Sequence, residues 1–230
     1  MVLYGRNAVR EALRGPRQVA QVWASERAAR EPWLAGARVV TAAGEELERR
    51  CGSPDHQGIC AEVSDFVYAD VDELLARPDA LIVALDEIQD PQNLGAICRT
   101  AECAGASGVV IPERRSAVVT PAVCKASAGA VEHLAIAQVR NLADFLLAAR
   151  EAGAWSYGAD GDARVSYTQP DYRGKVVLVL GSEGRGLRPR VAKVCDQLVA
   201  LPLAGRIESL NVSAAASALL YEIVRQRQTT

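Results

Sequence analysis

Asn, Arg, Glu and Ser recur in this chain just after three short apolar runs, each leading into a stretch of helical character. The first such loop is DEIQDPQNLGAICRTA over 86–101, the second LGSEGRGL over 180–187, and the third LPLAGRIESLNVS over 201–213. In an open α/β sheet, loops of this kind gather at one edge, where ligands bind. Together they would place Asn93, Arg99, Glu183, Ser209 and Asn211 beside glycine-rich backbone in one pocket, which reads as an enzyme site.

Each loop has a plainer reading as well. The glycine turn runs Gly181-x-x-Gly184-x-Gly186, which is not the GxGxxG spacing of a dinucleotide site, and no phosphate-binding loop ending in Lys-Ser/Thr exists. Glycines here let backbone groups approach a ligand closely. A purely structural turn has no need of Glu183. Asn93 alone is most simply a helix N-cap, and Ser209 and Asn211 are natural caps of the last helix. Arg99 is harder to dismiss, because it stands among Leu94, Ala96, Ile97, Cys98 and Ala101. Its planar fork suits phosphate or carboxylate.

The elements that must position these residues follow from hydrophobic period. In the first 63 residues the pattern predicts a helix with Val9, Ala12 and Leu13 on one face, strands over 19–23 and 38–41, and helices over 26–34 and 45–51. A strand over 56–63 closes this region. The polar stretch 64–79 reads as a linker with a short helix over 71–76. Beyond it, strands are expected over 81–86, 108–111, 134–139, 154–158, 175–180 and 198–201. Helices are expected over 94–104, 121–129, 142–152 and 189–195. The final helix carries Val212, Ala215, Ala216, Leu219, Leu220, Ile223 and Val224 on one stripe. Alternation of strands and helices implies an α/β fold, a mostly parallel sheet with helices on both faces.

Half of the 230 residues are hydrophobic and the net charge is -2, so bulk charge does not advertise nucleic-acid binding. The distribution is uneven: residues 1–50 hold nine Arg against six Glu, and Arg185, Arg188, Arg190 and Lys193 crowd beside the second loop. Their plainest reading is solvated surface charge. The six cysteines form no CxxC pair and the two histidines have no ligand spacing, so no metal site is expected and the thiols read as small core residues. No signal peptide and no run near ~20 apolar residues is present, which suggests a cytoplasmic protein without a membrane span.

The three loops resemble the three motifs of the SpoU (TrmH-type) RNA ribose 2'-O-methyltransferases of the SPOUT class, over essentially all of 81–228. LYGRNAV at 3–9 and HQGI at 56–59 resemble the small RNA-binding domain that precedes the catalytic domain in the RlmB-like branch. Members of that branch methylate a guanosine ribose in 23S rRNA. The resemblance implies an RNA substrate-binding domain over 1–63, a linker over 64–79 and a catalytic domain over 80–230. It also implies a deep trefoil knot, which no periodicity would reveal. S-adenosylmethionine would lie against Leu180, Gly181, Gly184, Leu201, Leu203 and Leu210, with small and apolar residues standing where other folds use a ribose-binding acid. Arg99 would act on the 2'-hydroxyl, with Asn93, Glu183, Ser209 and Asn211 positioning Arg99 and the ribose. An Arg with a pKa above ~12 is a poor base, so orienting the hydroxyl and an adjacent phosphate is the role expected of it. The family also implies a homodimer whose site draws on both subunits. A tRNA or resistance-type rRNA methyltransferase, or a catalytically silent RNA-binding assembly factor, are the alternatives.

Overall fold

The computed structural model describes residues 1–207 and 209–228, so Glu208, Thr229 and Thr230 of the expected 80–230 domain lie outside the described residues. The chain begins with β1 (Val2–Tyr4), α1 (Arg6–Arg14), β2 (Val19–Ala24), β3 (Val39–Thr41), α2 (Gly44–Cys51) and β4 (Ile59–Val63). These form a mixed four-stranded sheet in the order β1-β4-β2-β3, with β4 antiparallel to both neighbours and β2 parallel to β3. Helix α1 buries Val9 and Ala12, as its period predicts, together with Ala8, while Leu13 of the expected face is only partly buried against the core. Its first N–H has an unusual cap: Arg6 N–H donates at 2.9 Å to Oε1 of Gln57, which itself sits at φ 55°.

The helix expected over 26–34 does not form. Two single 3₁₀ turns, Ala28–Arg30 and Pro32–Leu34, stand in its place. Pro32 has no N–H to continue a helix and forces the preceding residue out of the helical region. Glu31 is accordingly extended, at φ −65° and ψ 126°.

The polar stretch after β4 is fastened along its length. Val119 N–H donates to the Tyr68 hydroxyl at 3.1 Å, and Ala69 bridges to Ala137. Asp70 then caps α3 (Val71–Leu75) through Asp72 N–H at 2.9 Å.

The rest of the chain supplies β5 (Leu81–Asp86), α4 (Pro91–Cys103), β6 (Gly108–Pro112), α5 (Pro121–Ala126), β7 (Ile136–Val139), α6 (Leu142–Glu151), β8 (Trp155–Ala159) and β9 (Val165–Ser166). It ends with β10 (Val176–Gly181), α7 (Pro189–Val194), β11 (Gln197–Ala200) and α8 (Val212–Gln228). Seven strands line up as β7-β6-β5-β10-β8-β11-β9, with every described pairing parallel. Strand β9, two residues long, was not expected from the pattern. A parallel sheet covered on both faces needs strands apolar on both sides, and all six residues of β5 are buried. Leu81, Val83, Leu85, Leu178 and Leu180 face a core shared with α4, α8 and the N-terminal unit. Ile82, Ala84, Val177 and Val179 face the core beneath α3, α6 and α7.

No helix among the described residues is long and apolar enough to cross a membrane. Burial pushes the thiols of Cys98 and Cys195 up to about 12 and those of Cys60 and Cys124 up to about 11, so these four stay neutral thiols near pH 7.

Candidate functional site

Strands β5, β8, β10 and β11 end at the same edge of the sheet, and their following loops meet there. Helix α4 starts earlier than its apolar period suggests. Asp90 is the N-cap, its Oδ1 accepting from Gln92 N–H at 2.9 Å, and Pro91 opens the first turn. Pro suits that position because its missing N–H has no intrahelical partner to lose. Asn93 therefore is not the cap. It lies inside the first turn, 7% exposed, with its side chain free for another task.

That task is a hydrogen-bond network with the other two loops. Asn93 Nδ2 donates to Glu183 Oε1 at 3.0 Å, and Asn211 Nδ2 donates to Asn93 Oδ1 at 3.0 Å and to Glu183 Oε1 at 2.5 Å. The amide orientations follow from chemistry. Asn211 Oδ1 accepts Ser213 N–H at 2.9 Å as the cap of α8, so its NH₂ must face the carboxylate. One side chain thus caps a helix and orders Glu183.

The second loop is shaped by close approach. A Cβ at Gly181 would stand 2.1 Å from Gly186 C, so no other residue fits. Gly184 and Gly186 have φ of 76° and 64°. Ser182 and Gly186 exchange backbone hydrogen bonds at 3.1 and 2.9 Å. Asp86, 1% exposed at the end of β5, ties down the far end by accepting from Arg188 N–H at 2.8 Å and Arg188 Nε at 2.7 Å. Arg188 Nη1 also pairs with Glu87 at 3.1 Å. Arg188 is therefore committed to the loop and is not a solvated surface charge. Arg190 pairs with Asp144 at 2.5 Å. The sequence held no sign of the Asp86–Arg188 link, since 102 residues separate the partners.

Two cavities flank Glu183. The first, of about 260 Å³, is lined by Leu180, Gly181, Gly184, Leu201, Leu203 and Leu210, together with Ser209, Ala215 and Leu219. The second, of about 450 Å³, is lined by Glu87, Gln89, Asp90, Asn93 and Arg185. Ser182, Glu183 and Val212 belong to both walls. The loop after β8 also reaches the first cavity through Ala159, Asp160 and Gly161, which sequence reasoning missed. An acid does stand on this wall, contrary to the expectation of small and apolar residues alone. Asp160 Oδ1 accepts from Asp162 N–H at 2.9 Å. No spacing rule pointed to it, because its loop contains no recognisable motif.

Arg99 is not brought into the network. It is exposed, lines neither cavity, and has no hydrogen bond or salt bridge among the described residues. Six helical residues carry it about 9 Å along the axis from Asn93 and onto another face. Its neighbour Thr100 contacts Ser217 of α8 at 3.2 Å between hydroxyls. Among the described residues, no group of three or more His, Cys, Asp or Glu is placed to hold a metal ion.

Comparison with known proteins bears on both halves of the chain. Residues 80–221 match the SpoU rRNA Methylase family, and residues 2–69 match the RNA 2'-O ribose methyltransferase substrate binding family. The chain is 41% identical over 240 residues to the 23S rRNA (guanosine-2'-O-)-methyltransferase RlmB of Pseudomonas putida, covering 98% of this chain and 96% of that one. Its fold is similar to the SpoU methyltransferase AviRb from Streptomyces viridochromogenes, solved in complex with the cofactor AdoMet. That match has a TM-score of 0.82 at 27% identity, over 100% of this chain and 91% of the other. The AdoMet-bound rRNA methyltransferase from Sinorhizobium meliloti superposes with a TM-score of 0.80 at 28% identity, over 97% and 86% of the two chains.

Proposed function

From a chain that belongs to the SpoU rRNA methylase family, we infer an S-adenosylmethionine-dependent RNA ribose 2'-O-methyltransferase that acts as a homodimer on a guanosine of 23S rRNA. The observation that carries the site assignment is the pair of cavities meeting at Glu183. The first fits the cofactor: Leu180, Leu201, Leu203 and Leu210 suit an adenine ring and an aliphatic chain, and the carboxylates of Asp160 and Glu183 suit a cationic donor. The second, polar cavity suits a ribose and its flanking groups.

When bound, the cofactor supplies a methyl group already activated on a sulfonium. The protein then has to align the 2'-hydroxyl and help it lose its proton. Asn93 and Asn211 hold the Glu183 carboxylate at the junction, so its position costs no reorganisation when the ribose arrives. Arg99 is assigned to the hydroxyl and the neighbouring phosphate, which its planar fork grips in two places. Ser209 stands on the cofactor wall and completes the positioning set.

Arg99 lies away from the network of its own chain, and this supports a dimeric site. Helix α8 turns Ala214, Ala218 and Tyr221 to solvent, with Tyr221 52% exposed. A second copy packed there by a two-fold axis would bring the Arg99 of one subunit toward the cavities of the other. The trefoil knot belongs to the same reading. Its support is that the loops after β10 and β11 wall one cavity and are joined by Asn211 and Glu183.

The RNA assignment of the N-terminal unit rests on its family match and on its arginines, with the Arg50 guanidinium 4.3 Å from the Trp23 ring centre. Binding of RNA is expected to weaken steeply with salt as phosphate contacts release counterions.

Mapping 2'-O-methyl groups on 23S rRNA from a strain lacking the protein tests the target. One guanosine should lose its mark; an intact 23S pattern with a missing tRNA mark would overturn the 23S assignment. Calorimetric titration should show S-adenosylmethionine binding and no NAD binding. Light scattering at low micromolar concentration should show twice the 24.5 kDa chain mass.

A further inference from the structure

The seam between the N-terminal unit and the parallel-sheet unit is built around a buried ion pair. Arg17, in the turn between α1 and β2, has a side chain 5% exposed, and that of Glu132 is 1% exposed. Arg17 Nε donates to Glu132 Oε2 at 2.8 Å, and Nη2 donates to the other carboxylate oxygen. Arg17 Nη1 donates to the Ser64 carbonyl at 3.4 Å, so the same guanidinium also holds the start of the connecting segment.

Around this pair the two units approach closely. A Cβ at Gly129, where φ is +87°, would stand 2.6 Å from Glu11 Cβ, and one at Gly15 would stand 3.0 Å from Glu132 Cβ. Lys125 of α5 donates to the Asp55 carbonyl and lies 5.2 Å from the Tyr4 ring centre. A Cβ at Gly5 would stand 3.3 Å from Gln57 Oε1 and 3.6 Å from Lys125 Cγ, so the LYGRNAV and HQGI stretches meet at α5. On its other side α5 presses on α4: a Cβ at Gly95 would stand 2.5 Å from Ala126 Cβ and 2.9 Å from Ser127 N. Gly95 lies two residues from Asn93 and four from Arg99. The N-terminal unit is thus registered, through α5 and the turn after it, against the helix that carries the site.

We propose that Arg17 and Glu132 are positioning residues for methyl transfer. Their buried pair holds the N-terminal unit in one register over α4, so that RNA gripped by that unit presents its ribose at a set distance from the cofactor cavity. The proposal rests on the reading of the N-terminal unit as RNA-binding. A buried ion pair often adds little net stability over apolar residues of the same size, whereas removing one partner strands a buried charge. Its contribution here is a single relative placement of two surfaces.

The test compares wild type, Glu132→Gln and the double variant Arg17→Met/Glu132→Leu, which removes both charges and keeps the volume filled should the single variant not fold. Cofactor affinity by calorimetry and affinity for transcribed 23S rRNA are expected to stay within about threefold of wild type. The kcat on that RNA is expected to fall at least tenfold, and small-angle scattering should show a broader distribution of interdomain distances. A double variant that keeps wild-type kcat overturns the proposal, as does a fall in kcat matched by an equal fall in cofactor affinity. A wild-type protein that methylates no RNA defeats the underlying reading and this proposal together; an active wild type with an equally active variant defeats this proposal alone.

Discussion

Two polar side chains of helix α4, Asn93 and Arg99, stand in opposite conditions. Asn93, in its first turn, is buried and hydrogen-bonded on both sides of its amide. Arg99, less than two turns on, is exposed, with no hydrogen bond or salt bridge among the described residues. The first is finished by its own chain. The second faces solvent, and the proposed function assigns it to RNA and a second subunit. The contrast separates stability from chemistry: Asn93 should matter to both, Arg99 to chemistry alone.

The sharpest way to break this comparison is Arg99→Ala. Single-turnover methyl transfer is expected to fall on the order of 10³-fold, as when one preorganised charge-stabilising donor is lost. Melting temperature and cofactor affinity should stay at wild-type values, and Arg99→Lys should rescue little because a point charge lacks the fork. Near-normal turnover by Arg99→Ala would remove it from the mechanism.

Asn211→Ala should fall on the other side of the comparison. It deletes the cap of α8, worth about 1 kcal/mol, and leaves Glu183 less ordered. Transfer should drop on the order of 10²-fold and Tm by roughly 2–4 °C. An unchanged Tm in differential scanning calorimetry would show that the network does not hold the fold.

Gly181→Ala probes the loop that both cavities share. The added carbon meets backbone only 2.1 Å away, so the loop must open. Cofactor affinity is expected to fall about tenfold, equivalent to about 1.4 kcal/mol; calorimetric affinity equal to wild type would mean the loop moves freely.

The smallest effect belongs to Glu11, which contacts His133 across the seam at 3.0 Å. Burial raises the Glu11 carboxyl, but hydrogen bonds from Arg10 and His133 and the charges of Arg10 and Arg14 outweigh it and hold Glu11 below its ordinary value of 4.5. A lowered carboxylate adds stability above pH 4.5 that is lost as pH falls through the folded value. Glu11→Gln should flatten that loss by less than about 1 kcal/mol. Identical denaturation midpoints across pH 3–6 for both proteins would contradict it.

The strands and helices were largely legible because their signal is local. The apolar runs at 81–86 and 175–180 became the buried β5 and, one residue later, β10, and of the stripe from Val212 to Val224 the residues Val212, Ala216, Leu219, Leu220 and Ile223 are buried. Two of the misses are local conflicts in which a stronger residue won. Pro32 split the expected helix at 26–34, and Asp90 with Pro91 moved the start of α4 ahead of its first apolar residue. Of the site, residue types were legible and partners were not: Asp160 and the Asp86–Arg188 tie carried no motif.

By itself the sequence determined the α/β alternation, the polar loops that end the strands, and Asn93, Arg99, Glu183, Ser209 and Asn211 as candidates. Only the tertiary structure decided that three of these five share one network, with partners 90 positions apart for Asn93 and Glu183 and 118 apart for Asn93 and Asn211. Period and capping act over a few residues. The meeting of those side chains depends on β10 pairing with β5 in parallel, Gly181 beside Asp86, and on Asn211 capping a helix that packs across α4.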